Sequence, residues 1–206
     1  MSEVCYQVDD IFFGNLFDML FLRINNPEEN LFIYLISPWI HDLSFTDEYR
    51  ESLISYSFPF PNSEFQKLNN ISSIFNFMKT KVDYPEKFDL KIITSEYNSV
   101  SINKSNPRMN KREQIFLKKI LTCGGEVYLH PDLHSKMILN PGKIMDGSAN
   151  ITFPGFFFHT ENVSLYYCCD ENFKLKLKRA NDILEEAIRY KDLQQVKDDF
   201  SKFKLK

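Results

Sequence analysis

The chain has 206 residues, of which 43% are hydrophobic and 26% charged, and a formal net charge of −3. That length and apolar content suit a single globular domain with a real core, and the mild acidity excludes a protein coated with uniform positive charge. The apolar stretches near residues 11–22 and 31–40 are too short or too interrupted to span a bilayer, and the amino terminus lacks a basic run before an apolar one. A soluble, cytoplasmic protein is expected.

Asp10 to Leu22 has helical periodicity, with Ile11, Phe12, Leu16, Leu20 and Phe21 near one face. Leu31 to Ser37 is a continuous apolar run of the kind that forms a buried strand. A segment rich in acidic and aromatic residues continues as loop through Asn62, and Ser63 to Lys79 reads as one helix. Leu90 to Ser95 predicts a second strand, and Lys111 to Thr122 a helix stopped by Gly124-Gly125. Glu126 to Leu129, Ser135 to Leu139, Lys143 to Met145 and Asn162 to Cys168 read as further strands. The tail from Asn172 reads as a charged helix with Ile183, Leu184, Ala187 and Ile188 as its apolar stripe. Of the cysteines Cys5, Cys123, Cys168 and Cys169, none forms a disulfide framework, and the adjacent pair is expected in a buried strand in a reducing compartment. No repeat, low-complexity tract or linker interrupts the chain, so the alternation predicts one α/β sandwich domain over residues 1–206 with a mixed sheet. The terminal helix, from about residue 172 to 206, packs on that domain or extends from it.

The chemistry concentrates in His134-Ser135-Lys136, followed by Gly147-Ser148-Ala149-Asn150 and then Glu161. Side chains alternate along a strand, so His134 and Lys136 project together while Ser135 looks to the other side. One short strand thereby delivers an imidazole and an ammonium to one spot. Ser148 and Asn150 repeat the spacing with a hydroxyl and an amide, and Gly147 removes a side chain where backbone must approach an anion. That set suits a phosphate ester.

These residues resemble the signature of the phospholipase D superfamily, H-x-K followed by G-S-x-N. The match covers His134, Lys136, Gly147, Ser148 and Asn150, and extends to Ile151-Thr152 and Glu161-Asn162. LFIYLISPWI, from Leu31 to Ile40, looks like the family's early core strand, and Leu90 to Thr94 resembles its middle strand. The resemblance implies a phospholipase D-like α/β sandwich, with a mixed, mostly parallel β-sheet flanked by helices on both faces. It departs at Pro141, where an Asp is usual and which Asn140 precedes, and at His159, where an Asn is common.

Displacement at a phosphodiester places the attacking group and leaving oxygen in line on opposite sides, so one imidazole cannot serve both. None of His41, His130 and His159 has a lysine two residues on, so a second catalytic histidine has to come from another copy of the chain. A two-fold homodimer brings identical patches together in one shared site, which is also how single-motif members of the family work. One His134 then attacks to give a phosphohistidine, and the other protonates the leaving oxygen and activates water. Paired Lys136, Ser148 and Asn150 hold the non-bridging oxygens, and Glu161 orients the imidazole. The scheme requires no metal and no other cofactor, and the Cys and His positions lack zinc-ligand spacing.

Lys104, Arg108, Lys111, Arg112, Lys118 and Lys119 crowd the segment before the catalytic strand, opposed there by Glu113. They either track a nucleic-acid backbone or form a solvated helix face. Trp39 either stacks a base or packs, and Phe156-Phe157-Phe158 offer core, interface or lipid contacts. The leading expectation is a metal-independent nuclease, on DNA in preference to RNA, resembling stand-alone bacterial nucleases or the nuclease parts of restriction and phage-defence systems with partner proteins of their own. A non-catalytic nucleic-acid-binding or assembly subunit and a lipid phosphodiesterase are the alternatives.

Overall fold

β1 (Leu31–Ile36) is apolar along its whole length because both of its faces are covered. Leu31, Ile33 and Leu35 enter one hydrophobic layer, while Phe32, Tyr34 and Ile36 meet the other. The computed structural model describes residues 8–55, 60–95, 107–157 and 161–190. Among these, β1 is the middle strand of a seven-stranded sheet. On one side of it lie β2 (Phe88–Ser95) and β3 (Glu126–His130), both parallel to it, and then β7 (Ile188–Tyr190), antiparallel to β3. On the other side β4 (Met137–Leu139), β5 (Lys143–Gly147) and β6 (Val163–Tyr167) follow in antiparallel order.

The fold is thus an α/β sandwich with a mixed sheet, but the sheet is not mostly parallel, as had been expected. Its parallel part is confined to β1, β2 and β3. β4 and β5 are joined by a short connection, and a tight turn can return the chain only antiparallel.

Five helices precede β3 in the described residues: α1 (Val8–Asn25), α2 (Asp47–Ser55), α3 (Asn62–Phe65), α4 (Ile71–Thr80) and α5 (Pro107–Thr122). Together with the short α6 (Phe153–Phe157) they cover one face, where Phe12, Phe13, Leu16, Ile74, Phe75, Phe116 and Ile120 are buried. α1 is buried over more of its circumference than one apolar stripe predicts, and Phe21 instead stays exposed. Its end is bolted down by Arg23, a buried cation that donates to the carbonyls of Pro27, Asp83 and Tyr84. The opposite face is covered by α7 (Glu171–Glu186), through Phe173 and Ala180 with Leu177, Ile183 and Leu184 around them.

Three expectations need correction. Ser63 to Lys79 is two helices, because the Asn70 side chain accepts from Ser73 N–H and starts α4 afresh with a capping box. The terminal helix stops at Glu186, and Ile188 lies exposed in β7. Cys168 and Cys169 are exposed in the turn after β6, where Asp170 Oδ2 accepts the Tyr167 N–H and ends the strand. Among the described residues no helix is long and apolar enough to cross a membrane.

The β4–β5 turn explains the departure at Pro141. Asn140 is 2% exposed, its Oδ1 accepts from the backbone N–H of Gly142 and Lys143, and its Nδ2 donates to Asn15 Oδ1. The polar side chain at this corner is therefore Asn140, one residue early, and it fixes the hairpin that carries the motif. Asn140→Ala leaves both turn amides and Asn15 without their partner, and urea unfolding should show a loss of about 2–3 kcal/mol.

Candidate functional site

His134-Ser135-Lys136 lies immediately before β4, which is shorter at this end than expected because its pairing begins at Met137 with Ile36 and Asp146. The hairpin nevertheless extends this far, since Gly147 N–H donates to Lys136 O at 3.1 Å. The two halves of the motif, distant in sequence, are thereby neighbours across a strand pair. Ser135 turns toward α7, where Arg179 Nη2 donates to its Oγ at 3.1 Å. Lys136 Nζ donates to the His134 carbonyl at 3.1 Å. The His134 side chain is 86% exposed, and its Nε2 lies 3.1 Å from Asp132 Oδ1, a carboxylate that sequence reasoning passed over.

Gly147 has a reason of its own. A Cβ there would lie 2.3 Å from the Asn162 carbonyl, so the missing side chain admits the neighbouring strand, not only an anion. Ser148 is then locked to the start of β6: its N–H donates to Asn162 O at 2.9 Å, its Oγ accepts from Asn162 N–H at 3.0 Å, and its hydroxyl donates to Glu161 Oε2. Ser148 and Glu161 are thus brought together. Asn150 is half-buried, with its Oδ1 inside and lacking a hydrogen-bond partner.

The residue after Asn150 is anchored to the end of β1. Ile151 N–H donates to the Ser37 hydroxyl at 3.2 Å, His41 N–H donates to Ile151 O at 2.8 Å, and Ile40 bridges Ile151 in parallel. The Ser37 hydroxyl in turn donates to Trp39 O at 2.6 Å. Trp39 itself is 43% exposed.

Beneath this corner sits Glu113, which does not oppose the basic run at the surface. It is 3% exposed and turned inward, where the Thr94 hydroxyl donates to Oε1 at 2.8 Å and Ile40 N–H donates to the carboxyl. Burial pushes its pKa up to about 7, against the lowering effect of those two hydrogen bonds. The signal was present in the sequence: Glu113 lies on the same helical stripe as the buried Phe116, Leu117 and Ile120. His41 is held below its usual pKa by burial first and by Arg112 second.

Of the predicted nucleic-acid-binding cations, Lys104 lies outside the described residues, as do Phe158 and His159, and Arg108 and Lys111 are placed on α5 by their backbone alone. Arg112 and Lys118 are exposed, while Lys119 is paired with Asp42 Oδ2 at 2.7 Å. Phe156 is buried against Phe12, and Phe157 packs on Phe153. No group of three or more His, Cys, Asp or Glu among the described residues is placed to hold a metal ion.

The hairpin end thus sets an imidazole and an ammonium beside a glycine-serine-amide segment. In its motif the chain resembles the phospholipase D superfamily. Two solved structures are similar in layout. Nuc from Salmonella typhimurium, a phospholipase D family member, is 12% identical with a TM-score of 0.47, over 86% of this chain and 89% of that one. NucT from Helicobacter pylori is 15% identical with a TM-score of 0.45, over 90% of this chain and 96% of that one. No family model matches the chain, and no curated protein matches it. At such identity the likeness is one of layout, and the chemistry has to come from the site's own side chains.

Glu113 binds its proton more tightly folded than unfolded, so its contribution to stability is present below the usual value of 4.5 and is lost as pH rises toward about 7. Chemical denaturation across that window should show stability falling with a slope of up to about 1.4 kcal/mol per pH unit. The slope should be smaller in Glu113→Gln by the amount this one group supplies.

Proposed function

We propose that the chain is a metal-independent phosphodiesterase, a nuclease acting on DNA or RNA, that works as a homodimer with one shared site. The observation that carries this reading is the backbone bond between Gly147 and Lys136, which joins the two halves of the motif at the end of one hairpin. The exposure of His134 supports the dimer, because a nucleophile left open to water on one chain is half of a site that excludes it.

In the proposed reaction, Nε2 of one His134 attacks phosphorus as the bond to the leaving oxygen breaks. The other His134 gives that oxygen its proton. The second imidazole, now neutral, takes a proton from water, which attacks the phosphohistidine and frees the first histidine. The ring nitrogen needed for attack faces Asp132 in the single chain, and this exposed contact yields to substrate at little cost. Lys136, Ser148 and Asn150 Nδ2 hold the non-bridging oxygens, and backbone at Gly147 approaches them. Glu161 fixes the Ser148 hydroxyl and serves as the orienting acid of the assembled site. Arg112 and Trp39, exposed beside the corner, are the first candidates for contacts to the flanking nucleic acid, with Lys104, Arg108 and Lys111 upstream.

Purified protein should cleave single- or double-stranded DNA or RNA in EDTA. His134→Ala should lower that rate by at least about a thousandfold with the fold intact by circular dichroism. Cleavage that needs added magnesium, or that survives the substitution, rejects the mechanism. Light scattering on active protein should give the mass of two chains, and a strictly monomeric active species would overturn the shared site.

A further inference from the structure

His130 is the last residue of β3 and stands just ahead of His134 in the chain. It is buried, and both of its ring nitrogens are engaged. Nδ1 accepts from Asp132 N–H at 3.1 Å, and Nε2 lies 3.3 Å from Oε2 of Glu186, the last residue of α7. A ring nitrogen that accepts from a backbone N–H carries no proton, so the neutral ring keeps its proton on Nε2 and donates it to Glu186. His130-Pro131-Asp132 thus turns as an asparagine-proline turn does, with a side-chain acceptor taking the N–H two residues on.

We propose that His130 is a positioning residue for His134: through Asp132 N–H it fixes the loop between β3 and β4 that presents the imidazole at the phosphodiester site. His134 needs such a fixture because its side chain is 86% exposed, and its contact from Nε2 to Asp132 Oδ1 is to a carboxylate equally exposed. The ring is therefore placed by the backbone beneath it. That backbone is tied to α7 in three ways. His130 reaches Glu186, Leu133 is buried in the layer that holds Phe173 and Ala180, and the Ser135 hydroxyl accepts from Arg179 at 3.1 Å. Of these, the His130 tie bonds the main chain at Asp132, the residue whose carboxylate faces the nucleophile. In-line attack on phosphorus tolerates little misplacement, and an error of about 1 Å costs up to about a hundredfold in rate.

The catalytic consequence rests on the nuclease reading, whereas the anchor itself does not. The two ring nitrogens can be replaced one at a time. Asparagine places its Oδ1 where Nδ1 stands, and glutamine places an amide donor where the ring Nε2 stands. His130→Asn therefore keeps the bond to Asp132, and His130→Gln keeps the bond to Glu186.

The anchor is read without cleavage. Long-range proton–nitrogen spectra of the wild-type chain at about pH 8, above the ordinary histidine range, should find the His130 proton on Nε2. A proton on Nδ1 overturns the proposal without recourse to any variant. The Asp132 amide should be protected from exchange in wild type and in His130→Asn, and should lose that protection in His130→Gln. Equal protection in the two variants overturns the anchor.

The second readout is cleavage, with the fold of each variant checked by circular dichroism. In His130→Gln kcat should fall by about ten- to a hundredfold with KM nearly unchanged, and His130→Asn, which returns the acceptor, should recover most of that loss. The reverse order, a slow His130→Asn and an active His130→Gln, gives His130 the structural task of holding α7 to the sheet and overturns the positioning role. Equal rates in the two variants overturn it too. A chain that cleaves no phosphodiester in any form, but whose Asp132 amide follows the expected order, overturns the nuclease reading and supports the anchor.

Discussion

The site depends on a junction at the end of β1, where the chain has left its last sheet partner and still has to grip the segment that follows β5. The buried Ser37 hydroxyl is the centre of that grip: it donates to Trp39 O and accepts Ile151 N–H. His41 N–H closes the other side of Ile151, so a residue outside every named strand is held from two directions. Without this junction β5 ends at Gly147 and the next residues are a loop. With it, Ser148 and Asn150 are pinned between β6 on one side and the β1 corner on the other.

The second face of the sheet contributes differently. α7 lies over Ile36, Ile93, Met137 and Ile144 and reaches the motif from behind, with Arg179 on Ser135 and Lys176 on Asp146 of β5. Arg179 thus holds Ser135 toward α7. The hairpin is therefore fastened at its turn by Asn140, along its back by α7, and at its open end by Gly147 against Asn162. The His134 imidazole is the exposed member of the set, which on the proposed reading suits a group that meets a second copy of itself.

Much of this was legible from spacing alone. Continuous apolar runs marked β1 and β2, because such strands rest on local periodicity. The misses come from interactions that local pattern does not encode. α2 lies in a segment whose acids and aromatics resemble loop, and it holds by burying Leu53. β7 is three residues long and exists only because β3 offers it an edge. Asn70 breaks a helix by capping the next one, which hydrophobic spacing does not register. Glu113 was counted among surface charges because charge was summed along the chain and not around the helix.

That last distinction bears on how the site is controlled. The acid is buried in the helix that carries Arg112 and Lys118, so the surface above it is more positive than the sequence of charges implies. On the proposed reading, a nucleic-acid backbone approaching that surface adds negative charge over the buried carboxyl of Glu113, and like charge favours the protonated form. The approaching phosphate, on the same reading, therefore raises the proton affinity of Glu113. By linkage the same coupling runs in reverse, so a site with Glu113 ionised binds its anion more weakly. The polyanion and the proton thus act on one buried residue from opposite sides of the corner.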